Sequence, residues 1–181
     1  MYLTASNPNA FGFQIKTERK ITDLCFDTGM KSDNATFSNN NKTVTKTSGG
    51  YGAWNCGVLM NMKVEKFRVR ILQTGPGNEI MIGFAPKNTF QVNGLNFNRS
   101  GWYIYSHNGC LYSQAGDGGS RALYGKAIVV NDIVEVSYNA NAKTISFKVN
   151  QSEFQNAFQN VTGDLYPALE LSSPGASLEI V

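Results

Sequence analysis

The only histidine, His107, and the three cysteines, Cys25, Cys56 and Cys110, are where nucleophilic or metal chemistry would have to begin. A hydrolytic triad needs its imidazole in a pocket, beside a nucleophile and an orienting carboxylate. His107 instead stands directly before the turn-forming pair Asn108–Gly109, and hairpin tips are solvated. His107 and Cys110 have a metal-like separation, but structural zinc takes four ligands in paired motifs, and the other two cysteines fall in strand-like segments. Three cysteines this far apart make no disulfide framework and fit reduced, buried thiols. Asp23, Asp27 and Asp33 match no standard calcium loop and read as surface carboxylates. Thr74–Gly77 and Gly116–Ser120 are glycine-rich, yet neither leads into a helix or a Gly-Lys-Ser/Thr sequence that would cradle phosphate. The expectation is a chain with no catalytic residue, no metal site and no cofactor, and therefore not an enzyme.

Recognition remains, and the elements that would position it are short strands. Phe67, Val69 and Ile71 alternate with Arg68 and Arg70. Ile80, Ile82 and Phe84 repeat that period of two, as do Ile145, Phe147 and Val149, and Leu178 with Ile180. Ile21–Phe26, Lys42–Thr47, Trp102–Tyr105, Ile133–Tyr138 and Leu165–Leu171 are further β-branched or aromatic runs. Turn chemistry separates them: Gly75–Pro76–Gly77–Asn78, the looser Asn139–Ala142, and Asn108–Gly109, which the sequence predicts as a two-residue type I′ hairpin. A short helical turn is expected near Ser152–Phe158 and no longer helix anywhere. Regular short strands of this kind predict an all-β sandwich of two antiparallel sheets.

The chain has 181 residues, 41% hydrophobic and 16% charged, with a net charge of +3. That is enough for one core without staples, and no linker or repeat divides it. We read a single domain over 1–181, with 1–20 as a leading segment and 21–181 as the core. No run approaches the roughly 20 apolar residues of a membrane span, and MYLTASNPNAFGFQIK has no secretory pattern; a cytoplasmic, monomeric protein is expected. The basic cluster Lys63–Lys66–Arg68–Arg70 interleaves with apolar residues and reads as the solvent face of a strand rather than a nucleic-acid stripe.

From about Thr43 onward, an ordered series of motifs resembles the SPRY (B30.2-like) family. The series runs GAWNCGVLM around Trp54, EKFRVRI, IMIGFAP at Ile80–Pro86, GWYIY at Gly101–Tyr105 and NGCLY at Asn108–Tyr112. It continues with NDIVEVSYN from Asn131, KTISFKVN from Lys143 and LYPALEL from Leu165. Asn131–Asp132 stands where Gly-Asp is common, and no PRY signature precedes the series, so the chain resembles a divergent member. The resemblance implies a bent antiparallel sandwich whose first and last strands lie close together, with leading strands at Phe11–Ile15 and Ile21–Phe26. It also implies a non-catalytic module that binds a short peptide or loop of a partner, as an adaptor or substrate-recognition domain, through loops at one end.

Three loops carry side chains suited to contact, because aromatic and arginine residues on rigidly held loops supply most binding energy. They give Tyr51 in Ser48–Tyr51, Phe90, Phe97 and Arg99 in Asn88–Ser100, and Ser173 with Pro174 in Ser172–Gly175. Trp54, Trp102 and Tyr105 are assigned to the core. A carbohydrate-binding sandwich and an RNA-associated module are the alternatives. The first lacks a loop joining an aromatic platform to carboxylates, and the second rests only on the basic cluster and mild positive charge.

Overall fold

Two kinds of apolar pattern build two kinds of sheet. The computed structural model describes residues 23–113 and 124–181. Its strands are β1 (Phe26–Lys31), β2 (Ala35–Ser38), β3 (Thr43–Lys46), β4 (Cys56–Met60), β5 (Lys66–Gln73), β6 (Ile80–Pro86) and β7 (Trp102–Tyr105). They continue as β8 (Leu111–Ser113), β9 (Ile133–Asn139), β10 (Thr144–Val149), β11 (Ser152–Phe158), β12 (Leu165–Leu171) and β13 (Ser177–Ile180). Sheet A has the order β1-β4-β12-β6-β7-β8, sheet B the order β11-β10-β9-β5-β13-β3-β2, and every pairing is antiparallel. A 3-10 turn lies at Asn96–Asn98, between β6 and β7.

In sheet B the strands alternate because one face meets water. Phe67, Val69 and Ile71 of β5, Val134 and Val136 of β9, and Ile145, Phe147 and Val149 of β10 are buried. They meet Val58, Met60, Ile82, Phe84, Ile104 and Leu169 of sheet A in one core cluster between the sheets. The central strands β4, β6 and β12 of sheet A are buried on both faces, which is why they read as continuous apolar runs. Their outer face forms a second cluster, Leu59, Met81, Ala85, Tyr103 and Ala168, beneath Phe90. At Gly83, central in that sheet, an added Cβ would fall 1.9 Å from the Trp102 carbonyl oxygen. Only glycine lets β6 and β7 approach so closely there.

The basic run of β5 faces solvent, and carboxylates answer it across the strands. Lys66 pairs with Glu135 at 3.1 Å, Arg70 with Glu179 at 3.7 Å and Lys148 with Glu153 at 3.6 Å. Arg68 stands opposite Glu135 in the register. Exposed pairs contribute little stability each, but the ladder offsets the positive charge of this face.

Three local expectations change. Ser152–Phe158 is strand β11 and not a helical turn: Phe147 pairs with Phe154 and Ile145 with Phe158, so two β10 residues span four on β11. Asn156 takes up the bulge at φ 56°, which sets Phe154 and Phe158 against the core at a spacing that imitates a helix. Asn108–Gly109 is no two-residue hairpin. Tyr105 and Cys110 close a four-residue connection, and of the pair only Gly109 has positive φ, at 74°. The Asn108 side chain instead accepts the Cys110 N–H at 3.0 Å. Finally, β1 starts at Phe26, where the Ile21–Phe26 strand was expected to end. The expected strand Phe11–Ile15 and the Gly116–Ser120 loop lie outside the described residues.

Candidate functional site

The turn joining β5 to β6 is the meeting point of one end of the sandwich. Gly75 and Gly77 hold it at φ 67° and 86°. A Cβ at Gly75 would meet the Pro174 carbonyl oxygen at 3.2 Å, and one at Gly77 would meet the Tyr51 hydroxyl at 2.8 Å. The ring Nδ1 of His107 lies 3.0 Å from the Gly77 oxygen. Asn78 Nδ2 donates to the carbonyls of Ser106 at 3.2 Å and Ile128 at 2.8 Å. Segments 48–53, 106–109, 125–131 and 172–176 are thus all tied to residues 74–79.

Three of the large apolar side chains most open to water project here: Tyr51 at 65%, Val129 at 53% and Val130 at 45% exposure. The two valines sit in a held turn rather than a loose one. Asp132 accepts the Val129 N–H at 2.9 Å through one oxygen and Asn150 Nδ2 at 2.7 Å through the other. Asp132→Ala should cost about 1–2 kcal/mol through these lost bonds. A fall of several degrees in thermal midpoint checks this, and an unchanged midpoint contradicts it.

From that end an aromatic strip continues over the outer face of sheet A. Alternation along β7 turns Trp102 and Ile104 into the main core, and Tyr103 and Tyr105 outward. Tyr112 of β8, opposite Tyr103, joins them. Ring centroids lie 5.1 Å apart for Trp54–Phe97, 5.5 Å for Phe97–Tyr112, 5.7 Å for Tyr105–Tyr112 and 5.9 Å for Trp54–Tyr105. His107 stacks on Tyr105 at 5.7 Å. These tilted and edge-on arrangements suit the ring quadrupoles, and Trp54, Phe97, Tyr105 and Tyr112 all remain half-buried.

Phe97 reaches the strip on a loop, 87–100, that is fastened at several points. Phe90 inserts over Gly57, where a Cβ would lie 3.0 Å from the ring. The Gly57 N–H donates to the Val92 carbonyl at 2.8 Å, and the Ser32 hydroxyl to Asn93 Oδ1 at 2.6 Å. Asn96 ties the loop to itself through Gln91 and Gly94, and its N–H donates to Glu170 Oε1 at 2.6 Å. Glu170 is 1% exposed and its second oxygen has no partner. Burial pushes its carboxyl up to about 8, against the lowering pull of hydrogen bonds from Asn96 and Phe97.

A buried lysine fixes the segment that carries Tyr51 and Trp54. Lys46 Nζ donates to the Ala53 carbonyl and Asn55 Oδ1, which flank Trp54, and to the Leu171 and Ser172 carbonyls of the β12 end. Burial draws its ammonium below the usual lysine range. Nearer the turn, Glu79 accepts the Ser172 hydroxyl at 2.7 Å and the Tyr105 hydroxyl at 3.5 Å.

The six residues expected to make contact are distributed unevenly. Tyr51 and Pro174 flank the 74–77 turn, exposed and half-buried respectively. Phe97 joins Tyr51's segment through Trp54. Arg99 ends the 3-10 turn and is exposed, three residues before β7 starts. Ser173 is fully buried and Phe90 is 7% exposed, so both support the surface from below. Trp54 and Tyr105, assigned to the core from the sequence, lie in the outer strip; only Trp102 packs between the sheets. Tyr112 and Glu79 were not anticipated. Residues 102 and 105 have opposite parity in one strand, and that signal was enough to separate them.

Chemically the surface offers hydrogen bonds, ring faces and one carboxylate. Among the described residues no three His, Cys, Asp or Glu side chains gather as metal ligands. Burial pushes the Cys56 thiol up to about 12, so it is not a thiolate at neutral pH.

Residues 64–181 match the sequence profile described as the SPRY domain. No curated protein is matched by the chain. Among solved structures, the SPRY domain of human HERC1 superposes with a TM-score of 0.71 at 23% identity, covering 86% of this chain and 96% of that one. The TRIM65 PSpry domain gives 0.67 at 12% identity, with coverage of 87% and 91%. The Drosophila melanogaster neuralized-nhr1 domain gives 0.60 at 14% identity, with coverage of 87% and 97%. These likenesses carry the two-sheet antiparallel fold and no more.

Proposed function

The chain belongs to the SPRY family of protein-interaction modules, and from that premise we propose that it binds a short peptide or exposed loop of a partner protein. The contact surface runs from Phe97 through Trp54 and Tyr105 to Tyr51, and the chain serves as an adaptor or substrate-recognition domain. The observation that carries this reading is the strip itself. Four half-buried rings close a circuit of contacts, and beside it, across Gly77, stands a tyrosine, Tyr51, that is 65% exposed. Rings held on a rigid support bury much area at little entropic cost, which is how few residues come to dominate an interface.

Each contributor has a distinct part. Trp54 and Tyr105 supply a floor with ring faces, Tyr51 and Pro174 a rim, and Val129 with Val130 an apolar flank tied to the same turn. Phe90, Glu170 and Lys46 do not touch the partner; they hold the loops that do. Affinity capture from the native cell, followed by mass spectrometry, should identify a partner whose purified segment binds the chain directly. A Tyr51→Ala, Trp54→Ala double variant should keep its fold by circular dichroism and lose about two orders of magnitude in affinity. Unchanged affinity in a folded double variant would overturn the site.

A further inference from the structure

Glu79 stands just before β6 with its carboxylate among aromatic groups. Tyr105 and Ser172 hydroxyls donate to its two oxygens. Tyr51 flanks it across Gly77, where an added Cβ would meet the Tyr51 hydroxyl at 2.8 Å and Glu79 Cδ at 3.3 Å. The Trp54 ring stands 5.9 Å from that of Tyr105 and is tilted by 59° to it, and His107 covers another side of Tyr105. Among the described residues Glu79 forms no ion pair, whereas Glu135, Glu153 and Glu179 on sheet B each have one. Glu79 is half-buried, so it has lost part of its hydration and regained only two neutral hydroxyl donors. Burial pushes the Tyr105 phenol far up, and the Glu79 carboxylate adds to that rise.

Ring faces and a carboxylate attract the same kind of ligand. The negative face of an aromatic ring draws a cation within about 6 Å, most strongly where water is excluded. A carboxylate short of hydrogen bonds adds a charged acceptor to that field. An anion would be repelled by both, and a purely apolar side chain would strand Glu79 dehydrated.

Building on the interaction reading above, we propose that the surface formed by Tyr51, Trp54, Glu79 and Tyr105 receives a cationic side chain, lysine or arginine, of the partner segment. The cation lies against the Trp54 and Tyr105 rings and donates to Glu79. Glu79 is thus the charge-selecting residue, and the aromatic strip supplies area on either side of it.

Selection from a random peptide display library against the full chain tests this. Selected peptides should be enriched in one lysine or arginine, and replacing that residue with glutamine should weaken binding about tenfold. Synthetic peptides carrying lysine, arginine or trimethyl-lysine at that place distinguish the kinds of cation. Glu79→Gln should weaken the same peptides about tenfold with an unchanged thermal midpoint, because its amide oxygen still accepts from Ser172. Glu79→Lys should turn the selection toward aspartate and glutamate. Peptides that lose binding on Tyr51→Ala but show no basic residue and ignore Glu79→Gln would overturn the cation site while leaving the interaction surface standing. A library that yields no binder overturns both.

Discussion

Replacing Lys46 with methionine is expected to lower the unfolding free energy by about 4 kcal/mol. The estimate follows from what the ammonium leaves behind. Its Nζ faces four oxygens: the carbonyls of Ala53, Leu171 and Ser172, and Oδ1 of Asn55. Lys46 is 0% exposed, so water does not replace the lost donors without opening the site. Each buried acceptor left unpaired costs about 1–3 kcal/mol, and relief of the ammonium's own dehydration returns only part of the sum. Methionine keeps the length of the lysine's aliphatic stem and most of its packing, and removes only the ammonium with its hydrogen bonds. Urea unfolding followed by circular dichroism should show the lower midpoint with an unchanged slope. Because Ala53 and Asn55 bracket Trp54, the variant should also expose that ring, seen as a red-shifted tryptophan emission before global unfolding. A loss below about 1 kcal/mol would mean that the lysine is incidental.

Raising the pH from about 5 to about 8.5 is expected to destabilise the chain through Glu170, by about 4 kcal/mol. The carboxyl titrates near 8 in the folded chain and near 4.5 when solvated. Between those values the native state keeps a proton that the unfolded chain releases. Its contribution is therefore complete below about 4.5, shrinks as pH rises, and levels off once the folded group has ionised above about 8. The limiting slope is about 1.4 kcal/mol per pH unit. Glu170→Gln imitates the protonated form: its oxygen still accepts the Asn96 N–H and it carries no charge. The variant should match the parent near pH 5 and exceed it near pH 8.5, and comparing the two cancels every other titrating group. An equal difference at both pH values would show that Glu170 titrates normally. Because the parent fold weakens over this interval, protection of the Asn96 amide against hydrogen exchange, taken relative to its intrinsic rate at each pH, should fall in the parent and stay level in Glu170→Gln.

The sheets were legible where one face meets water and the other meets the core. Phe67–Ile71 and Ile145–Val149 declare themselves because burial alternates with every residue. The four-residue β2 did not, since its one large apolar side chain, Phe37, is only half-buried. β11 misled because its bulge at Asn156 gives Phe154 and Phe158 a helical spacing. The candidate site was legible in its loops and obscure in its floor. Tyr51 and Pro174 stand among glycines and polar residues, which marked them as accessible. Glu79 and Glu170 look like ordinary solvent-facing strand residues. Loop 87–100 folding back over sheet A buries Glu170, and Ser172 and Tyr105 half-bury Glu79; no local sequence pattern records either cover. The core assignment of Trp54 and Tyr105 follows from their place in strand-like runs and overlooks the parity that sends Tyr105 to the face opposite Trp102.

β13 lies between β5 and β3, in the interior of sheet B, although it is the last strand in the chain. Its Leu178 stands opposite both Ile71 and Val44. A ribosome therefore releases β2 and β3 long before their neighbour exists, and until then they are cut off from β5 and from the rest of the sheet. Native pairing of residues more than a hundred positions apart closes large loops at an entropic cost that slows folding. The nascent chain must wait with open strand edges, which is when chaperone capture or aggregation competes with folding. A stalled chain ending before Ser177 should be protease-sensitive throughout β2 and β3, and one with a tether long enough to clear Val181 from the exit tunnel should resist.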